Sequence, residues 1–314
     1  MRKEKIFKSP KRKSKMRKAI ILAAGKGTRM KSDTFKVLHQ IGNRSMIRHL
    51  LDTLKEVQVD QTVVVLAPEM KVVEREISPT PFVIQKQALG TAHAVLSAKD
   101  YIQPFDGACL VLFGDHPLFH PVTFQKMLDK CEKGTDVVVL GFTPADPARY
   151  GRLIMGPNGL DAIVEYKEAT PKQRKIGLCN SGAMCINGRY LYELLTKVDN
   201  NNVAGEYYLP DIVKIAKEKG LKIDVEMADE EEVAGVNCRS ELAAAEAVFQ
   251  RRMRQKAMEN GVTLQDPETV YFSYDTQIES DVVVEPCVYF GPEVRVLKGA
   301  RVKAFSRLEK KEVH

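Results

Sequence analysis

Apolar residues along the first two thirds of this chain come in short unbroken runs separated by amphipathic stretches. Residues 19–24, 62–67, 82–84, 108–113 and 136–142 have the length and β-branched content of buried strands. Between the first two runs, Met46, Ile47, Leu50, Leu51 and Leu54 recur at helical spacing, with Ser45 in place as an N-cap. Residues 91–98 and 122–131 read as two further helices. Strand and helix alternate, which predicts an α/β fold: a doubly wound, mainly parallel, Rossmann-like sheet that binds ligands beyond its strands' carboxyl ends.

The pattern changes near residue 240. One long helix is expected over 240–261, with Ser240 as its start signal and Asn260-Gly261 as its stop. From Ile278 the chain falls into hexads led by Ile278, Val284, Phe290, Val296 and Val302, and Leu308 would open a sixth. A large apolar residue every six positions, with a small or branched one four later, predicts the start of a left-handed parallel β-helix. Three hexads close one coil of that form, so five give fewer than two coils. The expected organisation is a basic tail at 1–18, an α/β domain at 19–239, a linker helix at 240–261 and β-helix at 262–314.

The formal charge of +7 would suggest nucleic acid if it were spread over the fold. It is not. Residues 1–18 contain ten Lys/Arg and one Glu, so the remaining chain carries −2. The basic stretch lacks apolar periodicity and reads as a solvated, disordered extension without a specific nucleic-acid partner, and Met16 is an alternative start. No run approaches the roughly 18 apolar residues of a membrane span. The cysteines at 109, 131, 179, 185, 238 and 287 form no CxxC pair and read as buried or free thiols of a cytoplasmic protein.

Candidate chemistry concentrates where the first strand ends, in LAAGKGTRMKSDTFK. The phosphate loop GxxxxGK[ST] does not occur there, and GxGxxG fails at Met30. What remains is a glycine loop whose backbone amides can face phosphate, with Lys26, Arg29 and Lys36 to offset the charge.

This loop, L-x-x-G-x-G-T-x-M followed by Lys36, resembles that of the sugar-1-phosphate nucleotidyltransferases. The resemblance continues in order through QKQALGTAHAV (85–95), FGDHPL (113–118), YGR (150–152), IVEYKEAT (163–170), CNSGAM (179–184), NNNVAGEYYLPDIV (200–213) and VAGVNCR (233–239). Within that group the chain resembles the bacterial bifunctional N-acetylglucosamine-1-phosphate uridylyltransferase/glucosamine-1-phosphate acetyltransferase family. The resemblance implies Mg²⁺-dependent uridylyl transfer from UTP to N-acetylglucosamine-1-phosphate, giving a precursor of peptidoglycan and lipopolysaccharide. It places Mg²⁺ on Asp115 and Asn237. It implies Arg29 and Lys36 as phosphate clamp and transition-state cation. The nucleotide falls to Leu22, Ala23, Ala24, Gly25, Lys36, Gln85, Gly90 and Thr91, and the sugar to Gly151, Glu165 and Asn180. Another sugar phosphate, dTTP, or a silent nucleotide-binding remnant stay open as alternatives. The family's usual proline before the lysine is Phe35 here, its threonine after the asparagine is Ser181, and its GEYYxTD threonine is Pro210. Family members form trimers and continue into further coils that carry acetyl transfer, so acetyltransferase activity is not expected from this chain. His93, His116, Cys179 and Cys185 are expected only to pack.

Overall fold

The computed structural model describes residues 15–147, 149–157 and 159–314. Its main sheet runs in the order Ile223–Met227, Val137–Phe142, Cys179–Asn187, Gly107–Phe113, Met16–Leu22, Gln61–Leu66 and Phe82–Ile84. All neighbours are parallel except Cys179–Asn187, which is antiparallel to both flanking strands. A hairpin of Arg152–Gly156 and Gly159–Val164 branches from it where Arg152 pairs with Cys179.

Alternation along the strands builds the two faces of this sheet. Ala19, Ile21, Val64, Leu66, Leu110 and Leu112 point into one apolar cluster, which the helices Met46–Glu56 and Pro121–Glu132 cover. Ile20, Val63, Val65, Cys109 and Val111 point into the other, against Thr91–Leu96 and Leu191–Thr196. Both faces are covered, as unbroken apolar strands require.

Several boundaries differ from the sequence expectation. The first strand starts at Met16, because Met16 pairs with Gly107 and the Arg17 guanidinium meets Glu132 at 2.7 Å. Residues 16–18 of the expected basic tail are therefore strand, and residues 1–14 lie outside the described residues. Ser45 precedes its helix as expected, but its hydroxyl donates to Glu76 at 2.6 Å and caps nothing. The long helix spans Arg239–Glu259 and is capped by Cys238, not Ser240. Glu241 Oε2 accepts the amides of Asn237 and Cys238 at 2.6 and 3.1 Å.

After that helix, nine short strands stack into three parallel three-stranded sheets. Partners such as Val270 and Val288, or Tyr289 and Arg307, recur one coil apart. This is the expected β-helix, and its hexad leaders Val284, Phe290, Val296 and Val302 are buried. It begins earlier than the hexads do. Thr263–Leu264, Val270–Tyr271 and Gln277–Ile278 form a first layer in wider steps, so no six-residue period marks it. Phe272 and Phe290 stack between layers, with centroids 5.1 Å apart.

A small hairpin at residues 40–45 wedges between the long helix and the β-helix. Gly42 donates its amide to Glu246 at 2.8 Å and accepts the Tyr274 amide at 2.8 Å. A Cβ on Gly42 would stand 2.2 Å from the Phe249 ring, and φ is +53°, so only glycine fits. Arg44 lies over the Tyr274 ring, and Tyr289 Oη donates to Asn43 at 3.0 Å. No described helix is long and apolar enough to cross a membrane.

Candidate active site

The glycine loop leaves the sheet at Leu22, beside the carboxyl ends of Gln61–Leu66 and Gly107–Phe113. Gly114 donates to Leu22 O, Ala23 to Val65 O and Gln85 to Leu66 O, each at 2.8–2.9 Å. These bonds hold four strand ends, those of Met16–Leu22, Gln61–Leu66, Phe82–Ile84 and Gly107–Phe113, around one cavity of about 300 Å³. Leu22, Ala23, Ala24, Gly25, Lys36, Gln85, Gly90, Thr91 and Asp115 all line it. Every expected nucleotide residue and one expected metal ligand therefore meet in a single space. Glu206 also lines it, a residue that lies in the 200–213 motif but was not among the expected site residues.

Within the loop, no acceptor among the described residues takes the amides of residues 24–27. Successive free amides at a strand end make an anion cradle. A Cβ on Gly25 would meet nothing within 4 Å, so protein packing does not demand that glycine. Gly27 is demanded: φ is +63°, and its Cβ would stand 2.6 Å from Lys36 Cβ.

Lys36 opens a short 3₁₀ turn after Phe35, whose φ of −55° is the value a proline would impose. Phe35 thus keeps the proline-like backbone and packs on the core. The Lys36 ammonium bonds Asp115 Oδ2 and donates to Asn237 Oδ1 at 2.9 Å. Asp115 and Asn237 come together because Val236 donates its amide to Asp115 O at 2.9 Å, while Glu241 holds the Asn237 amide. Burial alone would push the Asp115 carboxyl up, but the facing His116 imidazole and Lys36 ammonium outweigh it and hold the pKa below the ordinary value. His116 itself is pushed down by burial and sits edge-on to Phe113 and Phe119, in keeping with packing.

Two hard oxygens, one charged, already converge on one cation. That donor set fits Mg²⁺, which takes one or two protein oxygens and completes its octahedron with water and phosphate. No group of three or more His, Cys, Asp or Glu able to hold a metal occurs among the described residues.

Arg29 lies apart from the cavity. It is exposed in the Thr28–Met30 turn and has no side-chain partner among the described residues. Thr91 Oγ1 is engaged, accepting the Leu209 amide at 2.9 Å. Pro210 sits in the first turn of Leu209–Asp211, where a proline costs no hydrogen bond.

The three expected sugar residues form a neighbouring cluster. Cys179–Asn187 runs antiparallel, so its start, Asn180, lies at the sheet end where the parallel strands finish. Asn180 donates its amide to Gly151 O at 2.8 Å, and a Cβ on Gly151 would stand 3.2 Å from Glu165 Oε1. Gly182 packs on the Phe113 ring, which walls the nucleotide cavity. Ser181 Oγ accepts the Ala183 amide at 3.2 Å. Arg152, 1% exposed, fixes this region by donating to the carbonyls of Tyr150, Pro147 and Arg174.

Burial raises the Glu165 carboxyl, and Asp211 and Glu168 raise it further. A carboxyl whose folded pKa lies above its unfolded value of about 4.3 destabilises the fold as pH rises through that window, and fully above it. We expect Glu165→Gln to melt above the native protein at pH 7.5, with the advantage shrinking toward pH 4. An equal difference at both pH values in thermal melts would contradict this.

Residues 19–176 match the model of the MobA-like NTP transferase domain. The bifunctional protein GlmU of Paramagnetospirillum magneticum is 51% identical over 292 residues, 92% of this chain and 65% of that one. That of Rhodospirillum rubrum is 54% identical over 266 residues, 84% of this chain and 60% of the relative. The chain thus spans less than two thirds of the length of these curated relatives. A solved structure of a putative glucose-1-phosphate thymidylyltransferase from Bacillus anthracis, in complex with a sucrose, superposes with a TM-score of 0.59. At 21% identity, over 74% of this chain and 94% of that one, this is a likeness of fold.

Proposed function

The chain belongs to the MobA-like NTP transferase family, and from its likeness to the GlmU proteins we propose that it transfers a uridylyl group from UTP to N-acetylglucosamine-1-phosphate. A phosphate oxygen of the sugar attacks the α-phosphorus of UTP. The new P–O bond forms as the bond to the β-phosphate breaks, and pyrophosphate leaves with the electron pair. Both reactants are polyanions, so positioning and charge screening carry the catalysis.

The observation that supports this best is a single cavity lined both by Ala24 and Gly25, where the run of free amides begins, and by Asp115 and Lys36, whose ammonium also meets Asn237. The amides would receive the triphosphate. Arg29, exposed and unengaged, would fold onto it as a fork, and Lys36 would act as a point charge. Asp115 and Asn237 would hold Mg²⁺, which when bound neutralises phosphate charge as a Lewis acid. Gln85 and Gly90 would face the base, and Thr91 would hold the Leu209 segment against that end of the cavity. Gly151, Glu165 and Asn180 would take the sugar hydroxyls and acetamido group. Glu165 keeps its carboxylate at a cost to stability, as groups selected for binding do.

Pyrophosphate release across UTP, CTP and dTTP, each with N-acetylglucosamine-1-phosphate and glucose-1-phosphate, tests the reading. UTP with the acetylated sugar should turn over fastest. Equal rates with UTP and CTP would remove Gln85 as a base reader, and no turnover with any pair would leave only a nucleotide-binding remnant.

A further inference from the structure

The packing residue of greatest interest is His93. Gln85 is 7% exposed, and its amide nitrogen has two neighbours, Gly90 O at 3.2 Å and His93 Nδ1 at 3.1 Å. Gly90 O can only accept. The opposite amide orientation would set Gln85 Oε1 against that carbonyl, acceptor facing acceptor. The nitrogen therefore faces Gly90, and His93 must offer a lone pair at Nδ1, with its proton on Nε2. Both amide hydrogens are then consumed inside the protein. Oε1 has no partner among the described residues and is not sealed from the cavity that Gln85 lines.

We propose that His93 is a specificity-positioning residue: by accepting the second amide hydrogen of Gln85, it leaves only a carbonyl to meet the nucleotide base. Its ring is held for this role. His93 lies in the first turn of Thr91–Leu96, with Ala92 and Ala94 buried beside it and Tyr207 stacked obliquely at 6.5 Å. Its carbonyl accepts Ser97 Oγ at 3.1 Å.

A glutamine amide by itself is ambiguous, since it can donate or accept. Uracil presents N3–H at its pairing edge and matches a lone carbonyl. Cytosine presents a bare N3 there and leaves two acceptors facing. Without His93, one Gln85 N–H would be unpaired in a largely buried place and would turn toward the cavity, where cytosine N3 can take it. The ambiguity is removed by the imidazole.

The inference rests on the proposed uridylyl transfer, and its test separates the two. Steady-state pyrophosphate release is measured with UTP and CTP for the native protein, His93→Leu and His93→Asn. Asn Oδ1 falls where Nδ1 stood, so this variant should rescue. One lost hydrogen bond alters an equilibrium up to about tenfold. His93→Leu should therefore narrow the UTP-to-CTP ratio of kcat/KM by about tenfold, mostly through KM, with kcat for UTP nearly kept. His93→Asn should restore most of the ratio. Should His93→Leu fail to fold, His93→Gln replaces it: its oxygen lies one bond too far, so it should narrow the ratio where His93→Asn does not. A selective native protein with an equally selective, folded His93→Leu or His93→Gln overturns the inference alone. A native protein indifferent to the base overturns the base reading and the inference together.

Discussion

Asp115→Ala should lower the rate of pyrophosphate release on the order of 100-fold or more, while the protein stays folded. Among the described residues, the carboxylate is the only charged oxygen that meets the Lys36 ammonium. Its side chain is 15% exposed, and no other acid among the described residues pairs with Lys36. Removing it leaves the Lys36 ammonium with one amide oxygen and takes away the charged half of the proposed metal site. Asp115→Asn separates shape from charge: it keeps the volume and should still lose most of the rate. An Asp115→Ala protein with an unchanged melting temperature and near-native turnover would end the assignment.

Lys36→Met should lower kcat by a similar factor of about 100, and it has a second readout. The ammonium stands where the oxygens of Asp115 and Asn237 converge, so a divalent cation must displace it. With methionine the oxygens lose that partner, and the nucleotide-free protein should bind Mn²⁺ more tightly than the native one by electron paramagnetic resonance titration. Unchanged turnover would remove Lys36 from the phosphates. Unchanged Mn²⁺ affinity would mean that the oxygens are not shared between lysine and metal.

The central strands were legible because their residues alternate between two apolar clusters and carry no interruptions. Cys179–Asn187 was not: Asn180, Ser181 and Gly182 break its run, and the register against Val137–Phe142 shifts between Asn180 and Met184. Ile223–Met227 escaped for another reason. It is an edge strand with partly solvated side chains, so IDVEM lacks the unbroken apolar run of its neighbours. At the site, the glycine loop announced itself by composition. Asn237 was legible only through the ordered motifs of the resemblance, as an isolated loop amide carries no signal. Glu206, Glu241 and the His93–Gln85 contact escaped because each is defined by a partner that folding brings close. Phe35 shows the reverse case, in which a departure from the family's proline left the backbone angle unchanged.

The hairpin at residues 40–45 lies just after Lys36, and the long helix starts just after Asn237. One grips the other through Gly42, Glu246 and Phe249, and both grip the β-helix through Tyr274 and Met253. The two jaws of the proposed catalytic cleft are thus bolted to a common chassis that makes no contact with substrate in the proposed reaction. A change in that chassis would be felt as a change in the gap between Lys36 and Asn237. Sequence drift in the coils is therefore answerable to chemistry at the far end of the molecule, and the change of pattern near residue 240 divides two styles of sequence without dividing the machine.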